Sequence, residues 1–277
     1  MYDMAGGTYI ITTIKQRRRV MLGAIIGDIV GSRFEFNNTD QFDFELFTPE
    51  CSFTDDTICT IAIANALTSG TDRNYKGWLQ AWCNAYPNPM GGYGGSFARW
   101  IASDDPQPYN SFGNGSAMRV SAVGWYFDTL EEVQLEAANS ALPTHNHYEG
   151  VKGAVATATA IFLARTQGKE AMLKAIKKHY YPTWVEPQLG KNRFDETCQG
   201  TMPVVFGIID KANGFEEAIR YAIAVGGDSD TIGAIVGSIA EAIWGIPPAI
   251  VNTAYKYIPA PMMRIVSKLM YNYGYKR

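Results

Sequence analysis

The sequence predicts an all-α protein, a compact bundle of many helices. Apolar residues recur at helical spacing over long segments, and the apolar–polar alternation that marks β-strands is scarce. These segments are rich in Ala and Gly, which allows helices to pack closely. We expect helices at residues 22–32, 55–69, 131–141, 148–167, 169–179, 196–211, 215–225, 231–243 and 247–256.

The first predicted helix carries Gly23, Gly27 and Gly31 at four-residue spacing. In a helix these glycines share one face, so a second helix can approach closely there. The alternative is a glycine-rich loop. The segment lacks the G-x-G-x-x-G pattern, so we do not interpret it as a dinucleotide fingerprint.

The second predicted helix has Ile58 and Ile61 on an apolar face, and Gly70 is placed to end it. We expect long irregular segments at residues 33–53, which are rich in polar residues, and at residues 87–118, which are rich in Gly and Pro. In compact domains such segments are usually functional.

Composition places the chain among globular proteins with one large core. It has 277 residues, of which 47% are hydrophobic and 18% charged, and we find no linker. A net charge of −3 speaks against a nucleic-acid-binding surface. No stretch approaches the roughly 18 apolar residues of a membrane span. We expect a cytoplasmic protein without a membrane partner, and a monomer because no apolar stripe demands a second copy.

The N-terminal region differs in character from the rest of the chain. Arg17, Arg18 and Arg19 precede an apolar run, as in a signal peptide, but Gly27 and Asp28 interrupt that run early and no cleavage site follows. We therefore expect residues 1–20 to be a flexible extension, or Met21 to be the true start. Residues 21–277 are expected to form one domain.

The four cysteines are irregularly spaced and include no C-x-x-C pair. This pattern favours reduced, mostly buried thiols over disulfides or a structural zinc site.

Two acidic motifs of similar form lie far apart in the sequence. Ser52–Ile58 reads S-F-T-D-D-T-I and Gly226–Ile232 reads G-G-D-S-D-T-I, and each leads into a predicted helix. Either motif alone could simply cap its helix. Together they offer four carboxylates, which suit Mg²⁺ or Mn²⁺. If the two helix N-termini face each other, they could hold two ions about 3.5–4 Å apart, as in two-metal hydrolytic sites.

A further acidic pair, Asp28 and Glu35, lies in and just after the first predicted helix. A buried Asp28 would need a hydrogen-bonding partner or a cation. Taken separately, each residue could be a cap or a surface charge.

Five motifs in order resemble the ADP-ribosylglycohydrolase family over about residues 21–250. They are G-D-x-x-G-x-x-x-E from Gly27, T-D-D-T from Thr54, G-N-G-S-A-M-R from Gly113, T-H-x-H from Thr144 and G-G-D-S-D-T-I-G from Gly226. The resemblance implies an all-α bundle with two bound divalent cations, Mg²⁺ or Mn²⁺. It also implies metal-dependent hydrolysis of the bond between ADP-ribose and its acceptor, which is a protein or a small molecule.

The family pattern also implies roles for individual residues. It assigns metal binding to Thr54, Asp55, Asp56, Asp228, Asp230 and Thr231, with Asp230 between the two ions. It assigns substrate binding to Asn114, Gly115, Ser116 and His145, the alternative for His145 being a core histidine. It assigns catalysis to Glu35, Asp55 and Asp230. In this hypothesis the ions hold the ribose and prepare a water molecule, while Glu35 or a metal-bound aspartate assists proton transfer.

Other interpretations remain open at this point. A relative of the same fold could bind ADP-ribose without cleaving it. Asp228-Ser229-Asp230 also resembles the haloacid-dehalogenase nucleophile motif, but Ile232 occupies the position of its threonine. Five aromatic residues could stack on adenine or plug the core beneath a loop, and these are Tyr93, Phe97, Trp100, Tyr109 and Phe112. The sequence leaves the cleaved linkage open.

Overall fold

The computed structural model describes residues 21–70 and 72–275, with side chains as far as residue 270. Within these ranges every regular element is a helix, which confirms the all-α prediction. The expected extension at residues 1–20 lies outside the described residues. The helices are α1 (Leu22–Gly31), α2 (Asp55–Thr68), α3 (Tyr75–Ala85), α4 (Gly95–Ile101), α5 (Gly115–Met118), α6 (Ser121–Tyr126), α7 (Leu130–Ala141), α8 (Tyr148–Gln167), α9 (Lys169–His179), α10 (Cys198–Lys211), α11 (Phe215–Ala224), α12 (Ser229–Trp244), α13 (Pro248–Ala254) and α14 (Ala260–Tyr275), with a 3-10 turn at Ser32–Phe34.

The centre of the bundle is a pair of buried helices, α1 and α12, which run antiparallel with glycines at their contact. Every residue of α1 is buried. A Cβ on Gly27 would lie 1.9 Å from the carbonyl oxygen of Gly233, and a Cβ on Gly23 would lie 2.1 Å from that of Gly237. Only glycine permits this approach, so the predicted close helix contact is confirmed. It brings the end of α1 beside the start of α12, where the second acidic motif lies.

A buried carboxylate anchors the beginning of α1. Oε2 of Glu241, on α12, accepts a hydrogen bond from the backbone N–H of Gly23 at 2.8 Å. Burial raises the pKa of Glu241 to about 8, although the N–H groups at the start of α1 act in the opposite direction. This contact caps α1 from another helix, because its own N-cap residue provides no side-chain hydrogen bond.

All nine predicted helices are present, with ends that differ from the prediction by at most two residues. Five helices were not predicted, namely α3, α4, α5, α6 and α14. The prediction that residues 87–118 are wholly irregular is wrong, because α4 and α5 lie within them. These two helices are short, and α4 is stabilised by the burial of Phe97, Trp100 and Ile101.

The tyrosine-rich C-terminal segment forms α14, which covers one edge of the core. Met262, Val266 and Leu269 are buried and share one helical face. This face packs mainly against α2. The segment therefore contributes to the core over the part whose side chains are described.

All four cysteines fall within the described residues, where they are buried and form no disulfide, as expected. Cys59 on α2 and Cys83 on α3 have Sγ atoms 3.9 Å apart. None of the helices in the described ranges is long and apolar enough to cross a lipid bilayer.

Candidate active site

The first acidic motif stands at the start of α2, where a carboxylate from α1 holds it. Asp28 is completely buried. Its Oδ1 accepts a hydrogen bond from the Thr54 hydroxyl at 2.7 Å, and its Oδ2 accepts one from the Thr54 backbone N–H at 3.0 Å. Thr57 donates to the same Oδ2 through its backbone N–H, at 3.1 Å, and its hydroxyl. Asp28 therefore caps α2 from a neighbouring helix, and burial raises its pKa to about 6.

The second acidic motif begins α12 after a turn that requires glycine. Gly226 and Gly227 have φ values of +86° and +88°. The Asn38 side chain brackets this turn, since its Oδ1 accepts from the Gly227 N–H at 2.8 Å and its Nδ2 donates to the Gly227 carbonyl at 2.9 Å. The turn places Asp228 just before α12 and Asp230 within its first turn.

Carboxylates from both motifs meet in one cluster. Single oxygens of Asp28, Asp56 and Asp230 lie within 4.8 Å of one another, and so do single oxygens of Glu35, Asp228 and Asp230. Asp230 belongs to both groups, and its predicted place between two ions would require such an arrangement. The two helix N-termini therefore bring together acids that are more than 150 residues apart in the chain.

The cluster has the chemistry of a divalent-cation site. Oδ2 of Asp56 and Oδ1 of Asp230 are buried and lack a hydrogen-bond partner among the described residues. Burial first, and then the neighbouring carboxylates, raise the pKa of Asp55, Asp56 and Asp230 well above the ordinary aspartate value. Such a group is stabilised by a proton or by a cation. Because the available ligand atoms are oxygens, the cluster suits Mg²⁺ or Mn²⁺.

The other predicted metal ligands, Thr54, Thr231 and Asp55, differ in how they meet the acidic cluster. The Thr54 hydroxyl donates to Asp28 and accepts from the Asp56 N–H at 3.2 Å, which leaves one lone pair for a cation. The Thr231 hydroxyl donates to Oδ1 of Asp56 at 3.3 Å and so connects the two helix starts. Asp55 lies on the cleft wall, outside both carboxylate groups.

Glu35 lies on the cleft wall directly after the 3-10 turn. Its side chain is half-buried. Burial raises its pKa to about 7, and the charges of Asp228 and Asp28 contribute to this shift. On its open side Glu35 packs against Gly91, which has a φ of +78°. A bridge between Thr54 and Met90 fixes this glycine segment beside the start of α2.

The loop that leads into α5, together with the first residue of that helix, forms another part of the cleft wall. The backbone N–H of Asn114 donates to the Glu196 carbonyl at 2.7 Å, which ties the loop to the start of α10. The Asn114 side-chain amide donates to Oδ2 of Asp228 at 2.7 Å. Asn114 and Gly115 therefore line the cleft next to the acidic cluster. The Ser116 hydroxyl is fully buried and donates to the Gly150 carbonyl at 2.6 Å, away from the cleft.

His145 lines the cleft beside this loop, with Nδ1 hydrogen-bonded and Nε2 without a hydrogen-bond partner among the described residues. Its Nδ1 is 2.6 Å from the Thr144 hydroxyl. Burial, and then the charge of Arg119, lower the pKa of His145 well below 6.5, so the ring is neutral. His147 has a different role, because its Nδ1 accepts from the Glu149 N–H at 3.1 Å and caps α8.

The cleft joins these walls in one open cavity of about 550 Å³. Tyr109 lines it beside His145 and Phe112 lines it beside His147, and both remain candidates for stacking on a base. Trp100 is buried in the core and stacks on Phe97, which packs in the core as well but also lines the cleft. Tyr93 lines the cleft, but its hydroxyl donates to the Tyr86 carbonyl at 2.7 Å.

Several residues of the cleft or of the acidic cluster have no assigned site role in the sequence-based prediction. Asp28 is buried within the acidic cluster, and its signal was a charge within an apolar run. Gly91 carried a signal in the run G-G-Y-G-G, which is typical of close backbone approach. Phe36 and Glu196 carried no local signal, because only the fold brings them to the cleft.

Comparison with known proteins identifies the family. A family model described as ADP-ribosylglycohydrolase matches residues 12–270. The chain belongs to the ADP-ribosylglycohydrolase family. Membership confirms the prediction made from the five motifs, and it confirms an enzyme that hydrolyses ADP-ribosyl bonds.

Relatives within the ADP-ribosylglycohydrolase family align over most of the chain. The ADP-ribosylhydrolase ARH3 of Danio rerio is 24% identical over 313 residues, which cover 85% of this chain and 84% of that protein. The ADP-ribosylarginine hydrolase Tri1 of Pseudomonas putida (strain GB-1) is 24% identical over 270 residues, which cover 84% of this chain and 71% of that protein. A solved structure described as an ADP-ribosylglycohydrolase-related protein complex matches with a TM-score of 0.73 and 21% identity, covering 94% of this chain and 98% of that one. The structural match shows that the ADP-ribosylglycohydrolase fold is shared.

Proposed function

We propose that this chain uses two divalent cations to hydrolyse the bond between C1″ of ADP-ribose and its acceptor. One observation carries the proposal, namely the meeting of the two acidic motifs around Asp230 beside the Asn114–Gly115 wall. The buried, unpartnered oxygens of Asp56 and Asp230 support cation binding. The cations would be held by Thr54, Asp55, Asp56, Asp228, Asp230 and Thr231, with Asp28 and Glu35 beside them.

The bound cations would orient the ribose hydroxyls and lower the pKa of a water molecule. The protein's own groups supply the rest. Glu35 faces the cleft and is placed to take a proton from the attacking water as its oxygen bonds to C1″. The acceptor leaves as the C1″ bond breaks and takes up the proton that Glu35 received from the water, which restores the Glu35 carboxylate. Asn114 and Gly115 hold the pyrophosphate and ribose, since small residues permit close backbone approach to a bulky anion.

For the acceptor, we favour the guanidinium of an arginine side chain. Phe36 is 75% exposed at the edge of the cleft next to Glu35, and its ring stacks on Phe194 at 6.1 Å. Glu196 is exposed, lines the same cleft and lies two residues after Phe194. A guanidinium stacks on aromatic faces and pairs with carboxylates, so this edge suits it. That one relative is named as an ADP-ribosylarginine hydrolase supports this choice.

The deciding experiment measures release of ADP-ribose from arginine-linked and serine-linked substrates with Mg²⁺, Mn²⁺ or EDTA. We expect metal-dependent release that Asp230→Ala abolishes. Asp210→Asn changes an exposed acid on α10 and is the matched control. Glu35→Gln should lower turnover by roughly 100-fold or more, as expected for a general base. ADP-ribose binding without turnover on either substrate would instead indicate a non-catalytic binding protein. If the protein bound no metal, the acidic motifs would serve only as helix caps.

A further inference from the structure

Beneath the cleft, three polar side chains form a buried chain from Arg119 through Thr144 to His145. Arg119 follows α5 and is 1% exposed. Its Nη2 donates to the Thr144 hydroxyl at 2.8 Å and to the Ser140 carbonyl at 3.1 Å. The same Thr144 hydroxyl oxygen lies 2.6 Å from Nδ1 of His145. The outer end of the chain, Nε2, has no hydrogen-bond partner among the described residues and lies next to Gly113 and Gly115, and His145 lines the cleft.

The direction of each hydrogen bond follows from what each group can donate. A guanidinium only donates, so the Thr144 oxygen accepts from Arg119. The single Thr144 proton then has two possible acceptors, Nδ1 of His145 at 2.6 Å and the Ala141 carbonyl at 3.5 Å. The longer distance lies outside the usual range for an O–H donor. The proton therefore points at Nδ1, which must be the unprotonated nitrogen of the ring.

The opposite arrangement is worse for two reasons. If Nδ1 carried the proton, the Thr144 oxygen would accept from both His145 and Arg119. Its own proton would then be left with only the 3.5 Å contact to the Ala141 carbonyl, and a buried donor without a good acceptor is destabilising. A doubly protonated ring is disfavoured as well, because it would place a second positive charge next to the buried Arg119 guanidinium.

We propose that Arg119 and Thr144 are positioning residues that hold His145 in its Nε2–H tautomer, so that His145 is a fixed hydrogen-bond donor to an oxygen of the ligand. The donor nitrogen, Nε2, lies beside the two glycines of the loop. Nε2 lies 3.6 Å from the point where a Cβ would stand on Gly113 or on Gly115. The N–H therefore emerges at the glycine face of the loop, where a phosphate or ribose oxygen of a nucleoside diphosphate would lie.

The inference rests on the proposed ADP-ribose site for its ligand, but the tautomer exists in the ligand-free protein. The first measurement is therefore a ¹⁵N–¹H long-range correlation spectrum of the histidine rings without ligand, with His145 assigned from the signals lost in His145→Gln. We expect a neutral ring with the proton on Nε2 from about pH 6 to pH 8. A proton on Nδ1, or an imidazolium in this range, would overturn the inference whatever the protein binds.

The second measurement compares ADP-ribose affinity by calorimetry for Thr144→Val and Thr144→Ser. Valine matches the shape of threonine but removes the hydroxyl, whereas serine keeps it. We expect Thr144→Val to lose the fixed tautomer and to bind about tenfold more weakly, the scale of one hydrogen bond to a charged group. Thr144→Ser should keep the spectrum and bind within about twofold of the unmodified protein.

The outcomes separate this inference from the proposed function. Unchanged affinity in a folded Thr144→Val, despite an altered spectrum, would rule out the donor role while leaving the ADP-ribose site intact. If the unmodified protein binds no ADP-ribose, the proposed function fails, and the spectrum alone then decides the tautomer. Should Thr144→Val not fold, the spectrum of the unmodified protein and the Thr144→Ser comparison still test the positioning role.

Discussion

A Cβ placed on Gly91 would stand 2.4 Å from Oε2 of Glu35. The glycine therefore determines where the proposed general base can sit. Its φ of +78° is in the region that favours glycine, and the Thr54–Met90 bridge prevents the segment from moving freely. The Gly91 backbone and the Glu35 carboxylate therefore pack directly against each other in the cleft wall.

Gly91→Ala should displace the Glu35 carboxylate and lower kcat by about 10- to 100-fold, because a shift of about 1 Å in a catalytic group can have an effect of that size. Gly92→Ala is the matched control, since Gly92 has a similar φ of +80° but a Cβ there would meet no atom within 4 Å. Steady-state kinetics with the same substrate for both variants test the prediction. Equal losses in the two variants would attribute the effect to backbone strain rather than to Glu35.

Glu196→Gln should discriminate between acceptors. An exposed charge pair contributes at most about 1 kcal/mol, so we expect kcat/KM to fall about three- to fivefold on an arginine-linked substrate. The serine-linked substrate should be unaffected, because its acceptor presents no guanidinium. The difference should shrink as salt is added. Glu131→Gln, which alters an exposed acid at the start of α7, controls for the change in net charge. A parallel loss on both linkages would contradict the arginine preference.

The limits of sequence-based prediction are physical. The α1–α12 contact was predictable because Gly23, Gly27 and Gly31 repeat at helical spacing within one segment. The acidic motifs were predictable because each is local. Helix α3 was missed although Asn74 caps it and Tyr75, Leu79 and Cys83 form its buried face.

The missing parts of the cleft depend on contacts between distant segments. Thr144 begins the T-H-x-H motif, but its contact with Arg119 could not be predicted from the sequence because only the fold brings the two residues together. Glu196 is held at the cleft by backbone contacts between distant segments, namely the Asn114 N–H to the Glu196 carbonyl, the Cys198 N–H to the Phe112 carbonyl and the Gly113–Thr197 bridge. For Ser116 the motif predicted substrate binding, but the fold directs its hydroxyl to the Gly150 carbonyl on α8 instead. A motif fixes the backbone neighbourhood of a residue but not the direction of every side chain.

Glu241 should make stability depend on pH. Its pKa of about 8 in the folded protein exceeds its ordinary value of 4.5, so the folded state binds more protons than the unfolded chain between these values. The stabilisation is fully present below pH 4.5 and is lost as the pH rises through about 8. Glu241→Gln keeps an acceptor oxygen for the Gly23 N–H but does not titrate.

We therefore expect the melting temperature of Glu241→Gln to rise relative to the unmodified protein between pH 5 and pH 9, by an amount that corresponds to roughly 1.4 kcal/mol per unit of pKa shift. Thermal melts of both proteins in the same metal-free buffers measure the difference directly. Because the other acids titrate identically in both proteins, they cancel from the comparison. A difference that stays constant over this range would show that Glu241 is already ionised in the folded protein at pH 5, with no raised pKa.

The glycine contact between α1 and α12 should be the most sensitive point of the fold. Alanine at position 27 gains about 1 kcal/mol of helix propensity, but its Cβ would stand 1.9 Å from the Gly233 carbonyl oxygen. Backbone atoms cannot rotate aside, so the helices must separate, and overpacking of this kind costs about 3 kcal/mol or more. Separation would also move Asp28 on α1 away from Asp230 on α12. Gly27→Ala should therefore lower both the free energy of unfolding in urea and the thermal shift that Mn²⁺ produces.

Gly214→Ala is the control, because a Cβ there meets no atom within 4 Å and only an N-cap preference of about 0.5–1 kcal/mol is lost. If Gly27→Ala were as stable as this control, the helices would not be in the close contact that forms the base of the acidic cluster.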